Sequence, residues 1–210
     1  MSAVVFLPVT GDAVTAFHAE GTRAFFADGT LLPPPNGTAL WLALADNHRN
    51  NMQLWAEEDL ARRTHVRDAE IAANKRAIDR FNQARNDAVE RMDEVLETLM
   101  SAPAAAQARL NSETPGSIID RLSIASLKIF HMAAQVERGD VDDAHRAACA
   151  DKLARLCLQR SDLSGCLDAL LTECRQGQAR FRTYRQFKMY NDPRLNMALV
   201  REAQQAPAAG

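Results

Sequence analysis

Three sets of side chains in this sequence have the types and spacings to do chemistry. The first is acidic: Glu57, Glu58 and Asp59, followed by Asp79, Glu90 and Asp93, could hold magnesium, which takes a few carboxylates and leaves room for water and phosphate oxygens. The second is mixed: Asp120, Arg121, Lys128 and His131 fall within one strongly apolar stretch. The third is basic: Arg175, Arg180, Arg182, Arg185 and Lys188 follow one another with no acid among them, interleaved with Phe181, Tyr184, Phe187 and Tyr190. Arginine suits phosphate because its planar fork makes two parallel charge-assisted bonds.

Each set also has an ordinary reading. Acid runs on helices are mostly solvated faces, and a basic aromatic helix can simply pair with acidic neighbours. The mixed set is the most informative, because an unpaired buried charge costs several kcal/mol and such groups must be paired or bound to something. No GxSxG, P-loop or GxGxxG occurs, so acyl-transfer and dinucleotide readings have no motif to stand on. His18, His48, His65, His131 and His145 make no HxxxH or other tight metal spacing, and Cys149, Cys157, Cys166 and Cys174 match neither zinc pairs nor a small disulfide framework. The cysteines read as buried free thiols.

Helices must position these groups. Asn111 to Met132 opens with Thr114 as N-cap and Pro115 at the first helical position, where a missing amide hydrogen leaves nothing unpaired. Ile118, Leu122, Ala125, Ile129 and Met132 then fall on one stripe, while Asp120, Ile124, Leu127 and His131 fall on another. A helix apolar on two sides is expected to be central. Thr38 caps a helix to about Arg63, one face of which carries His48, Asn51, Trp55, Asp59 and Arg62, with Glu58 at its margin. Asp68 is the expected cap of the longest element, to about Met100, where Lys75, Asp79, Asn82, Asn86 and Asp93 recur as a polar stripe beside Ile71, Ile78 and Val89. Asp142 caps a helix to Arg160, a break is expected at Ser161 or Ser164, and a last helix is expected from Leu163 to Tyr190.

The fold class that follows is all-α, an antiparallel helical bundle of about five long helices, because short connections favour antiparallel neighbours. Residues 1–37, with a helix expected only around Val14 to Phe26, read as an irregular N-terminal arm. Residues 38–196 form the bundle, and 197–210 a disordered tail. A net charge of -2 and a pI near 6.2 make nucleic acid an unexpected partner. No apolar run reaches the roughly 20 residues that span a bilayer, and no secretion signal opens the chain, so a cytoplasmic protein without a membrane partner is expected.

The stretches NNMQLWAEED, EIAANKRAIDRFNQARNDAVERMDE, NSETPGSIIDRLSIASLKIFHM and YRQFKMYNDPRLN resemble a bacterial all-helical family classed as a domain of unknown function. The likeness runs from about Trp41 to Asn196. It implies no catalytic residue; it does imply a link to envelope glycan synthesis, since such genes often lie near glycosyltransferase genes. The acidic set is also similar to that of all-helical nucleotide pyrophosphatases, though Ala61 stands where the third acid of their EExxE would be.

These readings combine into one expectation. If the polar stripes converge, Asn51, Glu58, Asp79, Asn82, Arg85, Asp120, Arg121, Lys128, Arg185 and Lys188 line an interhelical pocket for an anionic small molecule, a phosphorylated sugar or nucleotide sugar. No cofactor or metal is implied by it. The alternatives are an interaction or scaffold protein, partnering a glycosyltransferase or a second copy of itself, and a magnesium-dependent pyrophosphohydrolase.

Overall fold

The computed structural model describes residues 9–100, 107–185 and 192–205. Six helices occur among them: α1 (Gly11–Asp28), α2 (Ala39–Ala61), α3 (Asp68–Leu99), α4 (Pro115–Val136), α5 (Asp143–Arg175) and α6 (Met197–Gln205). The class is all-α. Two-residue strands β1 (Arg109–Leu110) and β2 (Ala179–Arg180) pair in parallel, with Arg109 opposite Ala179.

Local chemistry sets most helix starts. The Thr38, Thr114 and Asp142 side chains accept from the amides of Trp41, Ser117 and His145, which satisfies donors that the first turn leaves free. Asp68 is not a cap: α3 begins one residue earlier than expected, with Arg67 at the cap position and Asp68 in the first turn. There its charge still suits the positive end of the helix dipole.

α4 is the central helix, in contact with α1, α2, α3 and α5. Its Ile118, Ile119 and Leu122 meet Val14 and Phe17 of α1, Leu40, Trp41 and Leu44 of α2, Met92 and Leu96 of α3, and Leu163, Leu167, Leu170 and Leu171 of α5 in one core. At about 25 cal/mol per Å2 of apolar surface removed from water, this shared core is the main source of stability.

Three expectations are corrected. In the N-terminal arm the helix expected around Val14 to Phe26 is present as α1 but is longer, Gly11–Asp28, and it buries Val14, Phe17 and His18. It is held at its start by α5, where the Gly11 amide donates to Asp168 at 2.8 Å and Ser164 lies so close that a Cβ on Gly11 would collide with its Oγ and backbone carbonyl. Secondly, α5 runs unbroken through Ser161 and Ser164 and stops at Arg175. Serine is only mildly unfavourable inside a helix, and burial of Leu163 and Leu167 outweighs it. Gly177, at φ 71, ends the helix, and the chain then enters β2. The basic segment therefore is not a helix from Leu163 to Tyr190. Finally, residues 197–205 of the expected tail form α6, which buries no residue.

All four cysteines are free, but only Cys149 and Cys174 are buried; Cys166 is exposed. Among the described residues no helix is long and apolar enough to cross a membrane.

Candidate functional site

The polar faces of α2, α3 and α4 meet at Asp120. Its carboxylate takes a two-bond grip from Arg85, Nε to Oδ1 at 2.8 Å and Nη2 to Oδ2 at 2.5 Å. Asn47 and Asn51, one turn apart on α2, donate to the same Oδ1 at 2.9 and 3.0 Å. Asn82 accepts a longer bond from Arg85 at 3.4 Å. Burial alone would raise the Asp120 carboxyl, but the Arg85 guanidinium and the two amides outweigh it and hold the group below the ordinary carboxylate range. Arg85 is raised in turn by its bond to Asp120.

This knot continues inward. Asn51 donates to Ser123 Oγ at 3.0 Å, and Ser123 Oγ lies 2.8 Å from Nδ1 of His48, whose Nε2 lies 3.3 Å from Thr22 Oγ1. His48 stacks on His18 with ring centroids 4.5 Å apart. Burial pulls the His48 imidazole down to about 4, and burial together with His48 pulls fully buried His18 well below its usual value. Neither ring nitrogen of His18 has a hydrogen-bond partner among the described residues. Ser123 is wholly buried and so is no nucleophile for an outside substrate.

One hollow opens outward from the knot, and a second meets it at Trp55 and Asp59. The smaller, of 350 Å3, is walled by Asn51, Glu58 and Arg85 with Leu54, Ile124 and Leu127. The larger is a groove of 920 Å3 between α2, α4 and α5, within the size range of small-molecule sites. Lys128, Lys152 and Arg155 line it against Asp59 and Asp162, and none of the three cations takes an ion pair from the described residues. Trp55 lies flat on His131 beside them, centroids 4.6 Å apart and planes within 2°. Burial lowers the His131 imidazole, and the Asp59 charge only partly restores it.

The ten expected site residues are thus divided. Asn51, Asn82, Arg85 and Asp120 come together, Glu58 lines the adjoining hollow, and Lys128 lines the groove. Asp79 is exposed and pairs with Lys75; Arg121 is exposed and pairs with Glu113 at 2.6 Å. Arg185 pairs with Glu94 of α3 at 2.9 Å on the outer surface, because the chain after β2 is not helical and runs over α3 instead of facing the knot. Asp79 and Arg185 line neither hollow, whereas Arg121 lines a third, of 170 Å3, that shares Lys128 and Gln159 with the groove. Lys188 lies outside the described residues.

The acids of the magnesium reading are engaged separately. Glu57 accepts from Asn74 at 2.6 Å, Glu58 pairs with Arg62 at 2.9 Å, and Asp93 accepts from the Gly116 amide at the start of α4 at 2.6 Å. Burial pushes Asp93 up to about 6 against that bond and one from Thr114. Among the described residues no three His, Cys, Asp or Glu side chains gather as a ligand set.

Sequence reasoning missed Asn47, Ser123, Lys152 and Arg155. Asn47 stands four residues before Asn51, and Ser123 three after Asp120, so helical spacing was the available signal. Lys152 and Arg155 also stand three apart on one helix, among Leu153, Leu156 and Leu158, but nothing in the linear order places them beside Lys128 of α4.

A family model described as Protein of unknown function (DUF4254) matches residues 41–183. That range holds three of the four stretches quoted above and stops before YRQFKMYNDPRLN. No curated protein and no solved structure matches the chain.

Proposed function

The chain belongs to the DUF4254 family, and from that premise we propose that it binds an anionic small molecule, a phosphorylated sugar or nucleotide sugar, in the groove between α2, α4 and α5. One observation carries this reading: Lys128 of α4 and Lys152 and Arg155 of α5 converge on one groove, and no described carboxylate pairs with them. Elsewhere most arginines are matched, as Arg49, Arg91 and Arg109 are with Asp46 and Glu173. Unpaired cations on neighbouring helices repel, and a phosphate between them removes that repulsion while receiving charge-assisted bonds. Trp55, backed by His131, supplies a flat apolar wall beside the phosphate seat. The resemblance of the sequence motifs would place such a ligand in envelope glycan synthesis.

The Arg85–Asp120 pair is not the anion seat in this reading. Asp120 is already bonded by Arg85, Asn47 and Asn51, so its role is to fix α2, α3 and α4 against one another, and α2 and α4 are two of the three helices that wall the groove. A thermal-shift screen with sugar phosphates and nucleotide sugars tests the proposal. A ligand at about 100 times its dissociation constant adds roughly 2.7 kcal/mol, and Lys152→Glu should abolish the gain. No shift from any member of either class removes it.

The exposure of Leu158, 63% at the lip of the same groove, favours a second reading in which a partner protein or a second copy docks there. Light scattering decides it: association that Leu158→Glu breaks would support docking, and a monomer at all concentrations would remove the second copy as the partner.

A further inference from the structure

The two hollows that meet at Trp55 differ in charge, and that difference assigns the two ends of a ligand. In the larger, three unpaired cations face two carboxylates. In the smaller, Arg62 is taken by Glu58 and Arg85 by Asp120, so a phosphate would find no unpaired cation there.

What the smaller hollow does offer is directed hydrogen bonding. Arg85 is gripped twice by Asp120, which fixes the plane of its guanidinium, and at 23% side-chain exposure it still faces the hollow. The two bonds to Asp120 and the long one to Asn82 leave it N–H donors to spare. Glu58 brings acceptor oxygens, and Leu54, Ile124 and Leu127 supply apolar wall. A hydroxyl both donates and accepts, so neighbouring hydroxyls on one ring can satisfy a carboxylate and a guanidinium together while the ring's C–H groups cover the apolar wall.

We propose that the 350 Å3 hollow is the subsite for a neutral, hydroxyl-rich ring, selected by Glu58 and Arg85, with the anionic end of the same ligand across Trp55 in the larger groove. This rests on the anion-binding reading of that groove. It adds an orientation and names two specificity-determining residues. Binding is non-covalent.

Calorimetry with glucose 1-phosphate and with inorganic phosphate tests it on the full chain. The sugar phosphate should bind about tenfold more tightly than phosphate alone, as expected for a well-formed hydrogen bond to a charged group. Glu58→Gln should collapse that preference to within about twofold while leaving phosphate affinity nearly unchanged. The variant should fold, because the Glu58–Arg62 pair is exposed and contributes little. Lys152→Ala should weaken both probes alike. If both bind and Glu58→Gln alters neither, or alters both equally, the subsite assignment is overturned and the groove reading stands. If neither probe binds, both fail.

Discussion

The knot around Asp120 and the groove beside it both set arginine and aspartate on adjoining helices, yet the charges cancel in the knot and leave an excess of cations in the groove. In the knot the carboxylate meets two bonds from Arg85 and two amides, and its side chain is 8% exposed. In the groove, Lys128, Lys152 and Arg155 stand in solvent without a described partner. Burial explains the difference. A charge withdrawn from water must find its counter-charge inside the protein, whereas one left at a wet rim can wait for a ligand. Complete pairing therefore marks a structural centre, and incomplete pairing next to an aromatic wall marks the better candidate for binding.

The largest expected effect comes from breaking the knot. Asp120→Ala leaves Arg85 half-buried and unpaired and should cost about 3–5 kcal/mol in urea unfolding. Replacing both partners, Arg85→Met with Asp120→Leu, should recover much of that loss. A double variant as unstable as the single one would show that the pair is not the source of the cost.

In the groove the same kind of change should act on binding and leave stability alone. Arg155→Glu is expected to shift unfolding by less than about 0.5 kcal/mol, while lowering affinity for a sugar phosphate by roughly tenfold or more. Equal effects on stability at the two places would erase the contrast between them.

Acid sharpens the comparison at smaller scale. His18 and His48 are depressed in the folded chain, so below about pH 6.5 the unfolded state takes up protons that the native state refuses, and stability falls as pH falls towards 4. Asp93 acts in the other direction. Its carboxyl, raised to about 6, keeps a proton that the unfolded chain releases, a contribution present at low pH and lost as pH rises through 6. Asp93→Asn should therefore steepen the loss of stability between pH 7 and 4.5, by on the order of 1 kcal/mol. Denaturant titrations across that range check the sign, and a shallower profile would contradict it.

Salt gives the smallest effect. Raising ionic strength from 0.1 M towards 1 M shortens the screening length from about 10 to 3 Å. It should weaken ligand binding in the exposed groove and barely change the stability that the knot contributes, as affinity and urea midpoints measured at both concentrations would show.

Much of the fold was legible because its signals are local. Thr38, Thr114 and Asp142 each fix a helix start through a bond to an amide three residues on, and the twofold apolar pattern of Ile118 to Leu127 made α4 central. The break expected at Ser161 failed for the converse reason: a weak local preference was overruled by burial of Leu163 and Leu167. The site was half legible. Asn51, Asn82, Arg85 and Asp120 share helix faces that only one packing brings together, while Asp79 and Arg185 looked equivalent in the sequence and face outward.

The sequence by itself determined an all-helical chain with capped starts, a central apolar helix and polar groups on it that needed partners, because caps and periodicity act within a few residues. Only the tertiary structure decided which charges cancel and which remain open, and that Lys152 and Arg155 of α5 stand beside Lys128 of α4. Pairing depends on which helix lies opposite, and a linear order of residues does not contain that distance.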